Sequence, residues 1–226
     1  MEEYLNILKR NKLFEGVDLA ELKSMLDCLD CRFRQYGRNE YIALAGEKFD
    51  SVGIIVKGNA SVIKEDLDGN RIIMTMLKPG DMFGEMAAFS NKPVWPASVH
   101  SQEKCTVCFI PAARIVSACK NACCWHTILI QNLLRTVSEK ALLLNRKVEY
   151  LSIKSMRGRI SAFLLEQYKK TGKMTLTISM NRNQLADFLN VSRSSMSREM
   201  CRMKEEGIID FHKSTFRIFD IKALRP

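Results

Sequence analysis

The stretch Asn181-Arg-Asn-Gln-Leu-Ala-Asp-Phe-Leu-Asn-Val-Ser-Arg-Ser-Ser-Met-Ser-Arg-Glu199 holds two helix starts and one tight turn. Asn181 followed three residues later by Gln184 has capping-box spacing, in which each side chain bonds the other's backbone N–H. The helix it opens, Arg182 to Leu189, stops at Asn190-Val191, and Ser192 then caps a second helix from Arg193 to Glu206. Gly207 stands where a left-handed residue ends a helix. Downstream, Ile208–Phe211 and Thr215–Phe219 read as a hairpin around His212-Lys213-Ser214; upstream, Met174–Ile178 reads as a strand. Before that, Met156, Ile160, Phe163 and Leu164 recur at helical spacing. Helix, tight turn, helix and β wing make a winged helix-turn-helix.

The chemistry of the second helix points to duplex DNA. Arg193, Ser194, Ser195, Ser197 and Arg198 cluster at its start, while Val191, Met196, Met200 and Met203 can turn to a core. Arginine forks onto guanine O6 and N7, serine bonds bases or phosphates, and a helix N-terminus favours phosphate. Ser192 joins this set as the cap, and Arg182, one helix earlier, is placed for a phosphate contact. A charge run alone is usually a solvated face, so its position in the chain matters. Residues Ser152–Pro226 carry 15 Lys and Arg against 7 Asp and Glu, whereas the preceding residues carry 20 against 18. Almost all of the formal +10 therefore sits in the last third, as expected of a nucleic-acid module on a near-neutral one.

Working toward the N-terminus, a helix from about Ala122 to Leu151 contains no Gly or Pro. Ile130, Leu134, Val137, Ala141, Leu144, Val148 and Leu151 repeat in it at 4-then-3 spacing, the seam of a coiled-coil contact. A second apolar set, Leu129, Leu133, Leu142 and Leu143, lies off that seam and is expected to cover the preceding domain. A helix of about 30 residues spans ~45 Å, too long for one small domain to cover, so self-dimerisation is expected. The polar Ser152-Ile-Lys-Ser155 after it is a candidate hinge.

Between Phe33 and Pro111, short β-rich runs (Val52–Val56, Ala60–Ile63, Ile72–Leu77, Cys105–Ile110) alternate with turn signals at Ala45-Gly-Glu47, Lys57-Gly-Asn59, Asp68-Gly-Asn70 and Pro79-Gly-Asp81. Such spacing indicates an antiparallel roll or barrel. Apolar residues at helical spacing in Tyr4–Leu8 and Leu19–Leu26 read as one or two short helices before it. The fold class is thus α+β, with an N-terminal domain at 1–120, a dimerisation helix at 121–151 and a DNA-binding domain at 152–226.

The run Leu185–Glu199 resembles the recognition unit of the CRP/FNR family of bacterial transcription regulators. Lys57-Gly58, Asp68-Gly69-Asn70 and Pro79-Gly80-Asp81-Met-Phe-Gly84-Glu85 resemble that family's cyclic-nucleotide-binding-like roll, and roll, long helix and helix-turn-helix follow in the family's order. The resemblance covers nearly the whole chain. It implies a cytoplasmic homodimer that binds a palindromic promoter site, contacts RNA polymerase and responds to a small effector. It also places the effector pocket at Gly84, Glu85 and the segment after them.

The departures concern the effector. Cyclic-AMP-binding members carry Arg-Ser about ten residues after Gly-Glu; here those positions are Trp95 and Pro96, neither of which can pair with a phosphate. Trp95 suggests an aromatic-lined pocket for an uncharged or acidic organic molecule, with Asn132 and Arg135 as candidates to close it. Oxygen-sensing members hold an iron–sulfur cluster on clustered cysteines. Cys28/Cys31 and Cys105/Cys108 have C-x-x-C spacing, but strand alternation sends Cys105 and Cys108 to opposite faces. Cys119, Cys123, Cys124 and Cys201 complete the set of eight. A redox, haem or metal sensor using these thiols or His100 and His126 is the alternative; no metal site is assigned and the cofactor is left open. In the recognition helix Ser194 replaces the Glu that many members carry there, while Ser197-Arg198 matches the oxygen-sensor subgroup.

Composition excludes other classes. With 46% hydrophobic and 27% charged residues, wholesale disorder is excluded. Apolar runs break well before the ~20 residues of a membrane span. Met1-Glu2-Glu3-Tyr4 lacks the basic-then-apolar layout of a signal peptide, so a cytoplasmic protein is expected. No nucleophile motif, P-loop or G-x-G-x-x-G is present, so no enzyme is expected.

Overall fold

The computed structural model describes residues 2–65, 71–117 and 125–224. The expected turn at 68–70 and Cys119, Cys123 and Cys124 lie outside them. In chain order the elements are α1 (Glu2–Lys9), a 3-10 turn (Lys12–Phe14), α2 (Leu19–Cys28), β1 (Arg32–Tyr36), β2 (Tyr41–Ala43), β3 (Ser51–Lys57), β4 (Ala60–Glu65), β5 (Arg71–Leu77) and β6 (Met82–Phe83). Then follow α3 (Glu85–Ala88), β7 (Ser98–Ser101), β8 (Cys105–Pro111), α4 (Ala112–Val116) and α5 (Trp125–Ser152). The last part comprises α6 (Met156–Thr171), β9 (Thr175–Thr177), α7 (Arg182–Leu189), α8 (Arg193–Glu205), β10 (Ile209–His212) and β11 (Thr215–Ile218). The chain forms two compact units, Met1–Glu139 and Lys140–Pro226, so the division falls inside α5.

The first unit is a roll of two antiparallel four-stranded sheets, ordered β1-β8-β3-β6 and β2-β7-β4-β5. Strand β3 is buried on both faces, which is why Val52-Gly-Ile-Ile-Val56 is continuously apolar. Val52, Ile54 and Val56 face a core shared with α1, α2 and the start of α5; Ile55 faces the core between the sheets. Strand alternation does the same to the thiols of β8. Cys108 joins the helix-side core and Cys105 the inter-sheet core, as period-2 geometry requires. Gly58 turns the chain from β3 to β4 at φ +74°, where a Cβ would lie 2.4 Å from the Lys104 carbonyl oxygen, so only glycine fits.

Helix α5 is half core and half surface. Trp125, Leu129 and Leu133 are buried with α1 and α2, so half of the second apolar set does cover the roll. The other half, Leu142 and Leu143, is exposed. Along the proposed seam Ile130 is half-buried, while Leu134, Val137, Ala141, Leu144, Val148 and Leu151 are exposed on the single chain.

In the second unit, α6, α7 and α8 pack with Tyr150 over the three-stranded sheet β10-β11-β9. Both capping reactions at α7 are present: Asn181 accepts from Gln184 N, and Gln184 accepts from Asn181 N. Asn190 ends α7 in the left-handed region at φ +51°, and Ser192 caps α8. The candidate hinge is a tied-down turn: Ile153 donates its N–H to Tyr150 O, Ser152 Oγ bonds Glu149 O, and Ser155 caps α6. Arg182 also departs from expectation. Its guanidinium lies 4.8 Å from the ring centre of Phe211 and 4.7 Å from that of Phe216, and it donates to Met200 Sδ. The wing's two phenylalanines thus hold this cation, and burial pulls its pKa down.

Two outcomes follow. Asn181→Ala removes one orphan-donor partner and should cost about 0.5–2 kcal/mol of stability in denaturant unfolding. Arg182→Ala should cost roughly 1–3 kcal/mol, through lost stacking and packing, and leave the salt dependence of DNA binding unchanged. A flattened salt slope with an unaltered unfolding midpoint would return Arg182 to the phosphate backbone.

Candidate functional site

The start of α8 presents one polar face. Ser192, Arg193, Ser194 and Arg198 are exposed, Ser195 and Ser197 are half-buried, and Met196, Met200 and Met203 are buried on the other side. Helical period accounts for most of this split: positions 196, 200 and 203 share a face and 194 and 198 lie opposite it, while Arg193, on the methionine side by period, is exposed as the first residue of the helix. Ser192 Oγ accepts from Ser195 N at 3.2 Å and lies 3.4 Å from Ser194 Oγ, so the first turn is ordered by hydroxyls rather than by bulk. Arg198 Nη2 donates to Ser195 Oγ at 3.3 Å, which leaves the rest of its fork open to a ligand. No carboxylate occupies the first turn of α8, so its N-terminal dipole is uncompensated and suits an anion. Small hydroxyl side chains flanking two long cations allow close backbone approach together with reach into a groove.

The wing adds cations to which the recognition-helix motif drew no attention. Lys213 lies exposed at the β10–β11 turn at φ +51°, and Arg217 is exposed on β11. Their sequence signal is a basic residue in the turn of a short hairpin, which is too common to single out without the fold.

In the roll, two of the four residues placed near the effector, Gly84 and Trp95, have packing tasks. Gly84 caps α3 at φ +90°, and a Cβ there would lie 2.2 Å from Phe49 Cε1 and 2.9 Å from Ser51 O. Packing alone therefore requires glycine. Glu85 is buried in the first turn of α3. Trp95, 5% exposed, packs its ring 5.3 Å from Phe49 and 6.2 Å from Phe83. Its indole Nε1–H is buried with no hydrogen-bond partner among the described residues. Pro96 is exposed. An aromatic cluster with one unused neutral donor thus stands where a phosphate site would need a cation.

The structure gives Asn132 and Arg135 a different task from closing a pocket. Asn132 is buried and donates to Leu13 O at 3.2 Å and Glu15 O at 2.8 Å; Arg135 meets Glu15 Oε2 at 3.4 Å. Both hold the segment after the 3-10 turn against α5. Separately, a cavity of about 370 Å³ opens between the edges of β1 and β2, lined by Arg32, Arg34, Tyr36, Lys48, Phe49 and Phe109 among others. Its cations are engaged: Arg32 with Asp30, Lys48 with Asp50, and Arg34 over Phe109.

The thiols and imidazoles are mostly packed. Cys31 is pushed far up by the hydrogen bond to the Cys108 thiol and by burial, and Cys105 is pushed up to about 11 by burial with Glu103 nearby. Thiols so shifted stay protonated and are poor nucleophiles and ligands. His100 meets Tyr41 edge-on, and His126 stacks on Trp125 with Nε2 3.3 Å from Arg114 O. Among the described residues no group of three or more His, Cys, Asp or Glu could hold a metal, and no helix is long and apolar enough to cross a membrane.

Comparison with known proteins agrees with this division of labour. The family model described as the cyclic nucleotide-binding domain matches residues 33–122, and the Crp-like helix-turn-helix domain matches residues 158–226. The chain is 23% identical over 193 residues to the cAMP-activated global transcriptional regulator CRP of Pasteurella multocida, covering 84% of this chain and 90% of that one. It is 24% identical over 196 residues to the cAMP-activated global transcriptional regulator Vfr of Pseudomonas aeruginosa, with the same coverage. In fold it is similar to the catabolite activator protein of Thermus thermophilus, with a TM-score of 0.56 at 20% identity over 95% of this chain and 96% of that one. It is also similar to CprK complexed with OCPA, with a TM-score of 0.60 at 15% identity over 90% and 91%. The two relatives matched by sequence are named as transcriptional regulators, not as enzymes. With an effector-type roll and a Crp-like helix-turn-helix in this order, the chain belongs to the CRP/FNR family of DNA-binding transcription regulators.

Proposed function

We propose that the protein works as a homodimer that reads a pseudo-palindromic promoter site and is controlled by a small effector other than a cyclic nucleotide. The observation that carries the DNA half is the first turn of α8, with Arg193, Ser194 and Arg198 exposed above a buried methionine face. The observation that supports the dimer is the exposed apolar stripe of α5. Two-fold symmetry of such a dimer sets two half-sites with centres about one helical turn, roughly 10 bp, apart. Arg193 and Arg198 read bases; Ser192, Ser194, Ser195 and Ser197 bond bases or phosphates; Lys213 and Arg217 of the wing meet the backbone. Contact with RNA polymerase and a cytoplasmic location go with this role.

The effector reading rests on Trp95 and Pro96. Relatives named for cyclic AMP activation have the roll in common with this chain, but here an indole packed on Phe49 and Phe83 takes the place of the phosphate-pairing cation. A neutral donor in an aromatic cluster favours an organic molecule with an acceptor oxygen over a cyclic phosphate. A cysteine sensor is the second reading. The Cys31–Cys108 contact favours it, while the upward shift of Cys31 weighs against a thiolate.

Selecting sites from random duplexes tests the DNA reading. The wild-type chain should enrich a pseudo-palindrome, and Arg198→Ala should cost about 1–3 kcal/mol per lost base contact and relax one symmetric pair of positions. An unchanged motif at unchanged affinity would remove Arg198 from the bases. Calorimetric titration tests the effector reading: neither cyclic AMP nor cyclic GMP should give binding heat at physiological concentrations, and micromolar affinity for either would sink the argument from Trp95.

A further inference from the structure

The first turn of α6 contains Arg157-Gly158-Arg159, and its two arginines grip other parts of the DNA-binding unit. Arg157 Nε donates to Glu199 Oε1 at 2.6 Å, and its two terminal nitrogens fork onto the Glu206 carboxylate at 2.6 and 2.7 Å. Glu199 follows the base-reading candidate Arg198, and Glu206 is the C-cap of α8, so one guanidinium holds the recognition helix at two turns. Arg159 Nε donates to Ile153 O at 2.9 Å, and its Nη1 donates to Leu189 O at 3.3 Å and Asn190 O at 3.1 Å. Those two carbonyls are the end of α7 and the left-handed residue from which the chain turns into α8. Gly158 lets the connection fold close, since a Cβ there would lie 2.7 Å from both Ile153 Cγ2 and Ser155 Oγ.

Isolated surface ion pairs contribute little to stability. This arrangement differs in two respects. The Glu206 contact is bidentate, and the Glu199 side chain is only 16% exposed, so Arg157 meets a mostly buried carboxylate whose other oxygen lies 3.5 Å from Arg202 Nη1. The other end of the connection is equally anchored. Tyr150, on the last turns of α5, is buried with its ring 5.4 Å from Phe188 of α7, and its hydroxyl donates to Glu166 of α6. From Tyr150 through Ile153 to the α7–α8 turn, each step is a hydrogen bond or a ring contact.

We infer that Arg157 and Arg159 are positioning residues for DNA readout, fixing the orientation of α8 to the segment that joins α5 to α6. Neither touches the proposed base-reading face. Their effect is to make the last turns of α5, the connection and the recognition helix move as one body, so a displacement at the end of α5 is delivered to α8 rather than absorbed by the connection. The inference rests on the reading of α8 as the base-reading helix.

The test uses the full-length chain with Arg157→Gln, Arg159→Gln and the double variant Arg157→Gln/Glu199→Gln. Affinity is measured, across a salt series, for the duplex the wild type selects and for a scrambled duplex of equal length. Amide hydrogen exchange is followed on the free proteins. Each single variant should lower the ratio of selected to scrambled affinity about tenfold, with scrambled affinity and salt slope retained. The double variant should fall no further than Arg157→Gln alone, because the two residues act as one contact. Exchange should quicken at Asn190–Ser195 in Arg159→Gln while Phe163 and Leu164 of the α6 core stay protected. An unchanged ratio, an equal loss on both duplexes, or unchanged exchange would each overturn the inference, the second by reducing the pair to plain stabilisers. A wild type that selects no sequence would defeat the proposed function instead, and the exchange arm would still decide whether the grip exists.

Discussion

Leu134, Val137, Leu142, Leu143, Leu144, Val148 and Leu151 lie exposed on α5, and water is a poor neighbour for them. The helix cannot simply hide this stripe. Its first turns are committed to the roll through Trp125, Leu129 and Leu133, and its last turn to the DNA-binding unit through Tyr150. Fully burying one such side chain is worth about 1.5–3 kcal/mol, so an uncovered stripe of this length is a large unmet driving force. In the homodimer we propose, the same stripe of a second copy covers it and two recognition helices come under one symmetry axis. The proposed palindromic site and the need for α8 to hold a fixed orientation both rest on that pairing.

Much of this was legible in the sequence because the relevant signals are local. The limits of α7 and α8 follow from Asn181, Gln184, Asn190 and Ser192, whose capping and left-handed preferences act within four residues. The buried strand β3 shows as an uninterrupted apolar run, and the opposite fates of Cys105 and Cys108 follow from strand period alone. Gly58 marks a turn that admits no side chain.

What the sequence did not disclose depends on partners far along the chain. Asn132 reads as a polar residue free for a ligand, yet its amide serves carbonyls at Leu13 and Glu15. Arg182 reads as a phosphate contact because it opens a helix; the wing, about 30 residues later, supplies two aromatic faces that hold it better than solvent does. Strand β1, Arg32-Phe-Arg-Gln-Tyr36, carries too much charge to look like a strand until β8 pairs with it. Leu142 and Leu143 read as cover for the roll together with Leu129 and Leu133, yet they are exposed, because period alone does not say how far along α5 the roll reaches. The grip of Arg157 and Arg159 on α7 and α8 was invisible for the same reason: apart from Ile153 O, its acceptors are two carboxylates and two carbonyls 30 to 49 residues away.

The proposed symmetric reading of DNA depends on what covers the α5 stripe. Sedimentation equilibrium of the wild-type chain and of Val137→Asp, at the concentrations where the protein binds DNA, measures it most directly. The expected result is a wild-type mass twice that of the chain and a monomeric variant, because a charge forced into an apolar contact costs several kcal/mol. A wild-type monomer at those concentrations, or an intact dimer for Val137→Asp, would contradict the α5 seam as the interface on which the symmetric DNA reading depends.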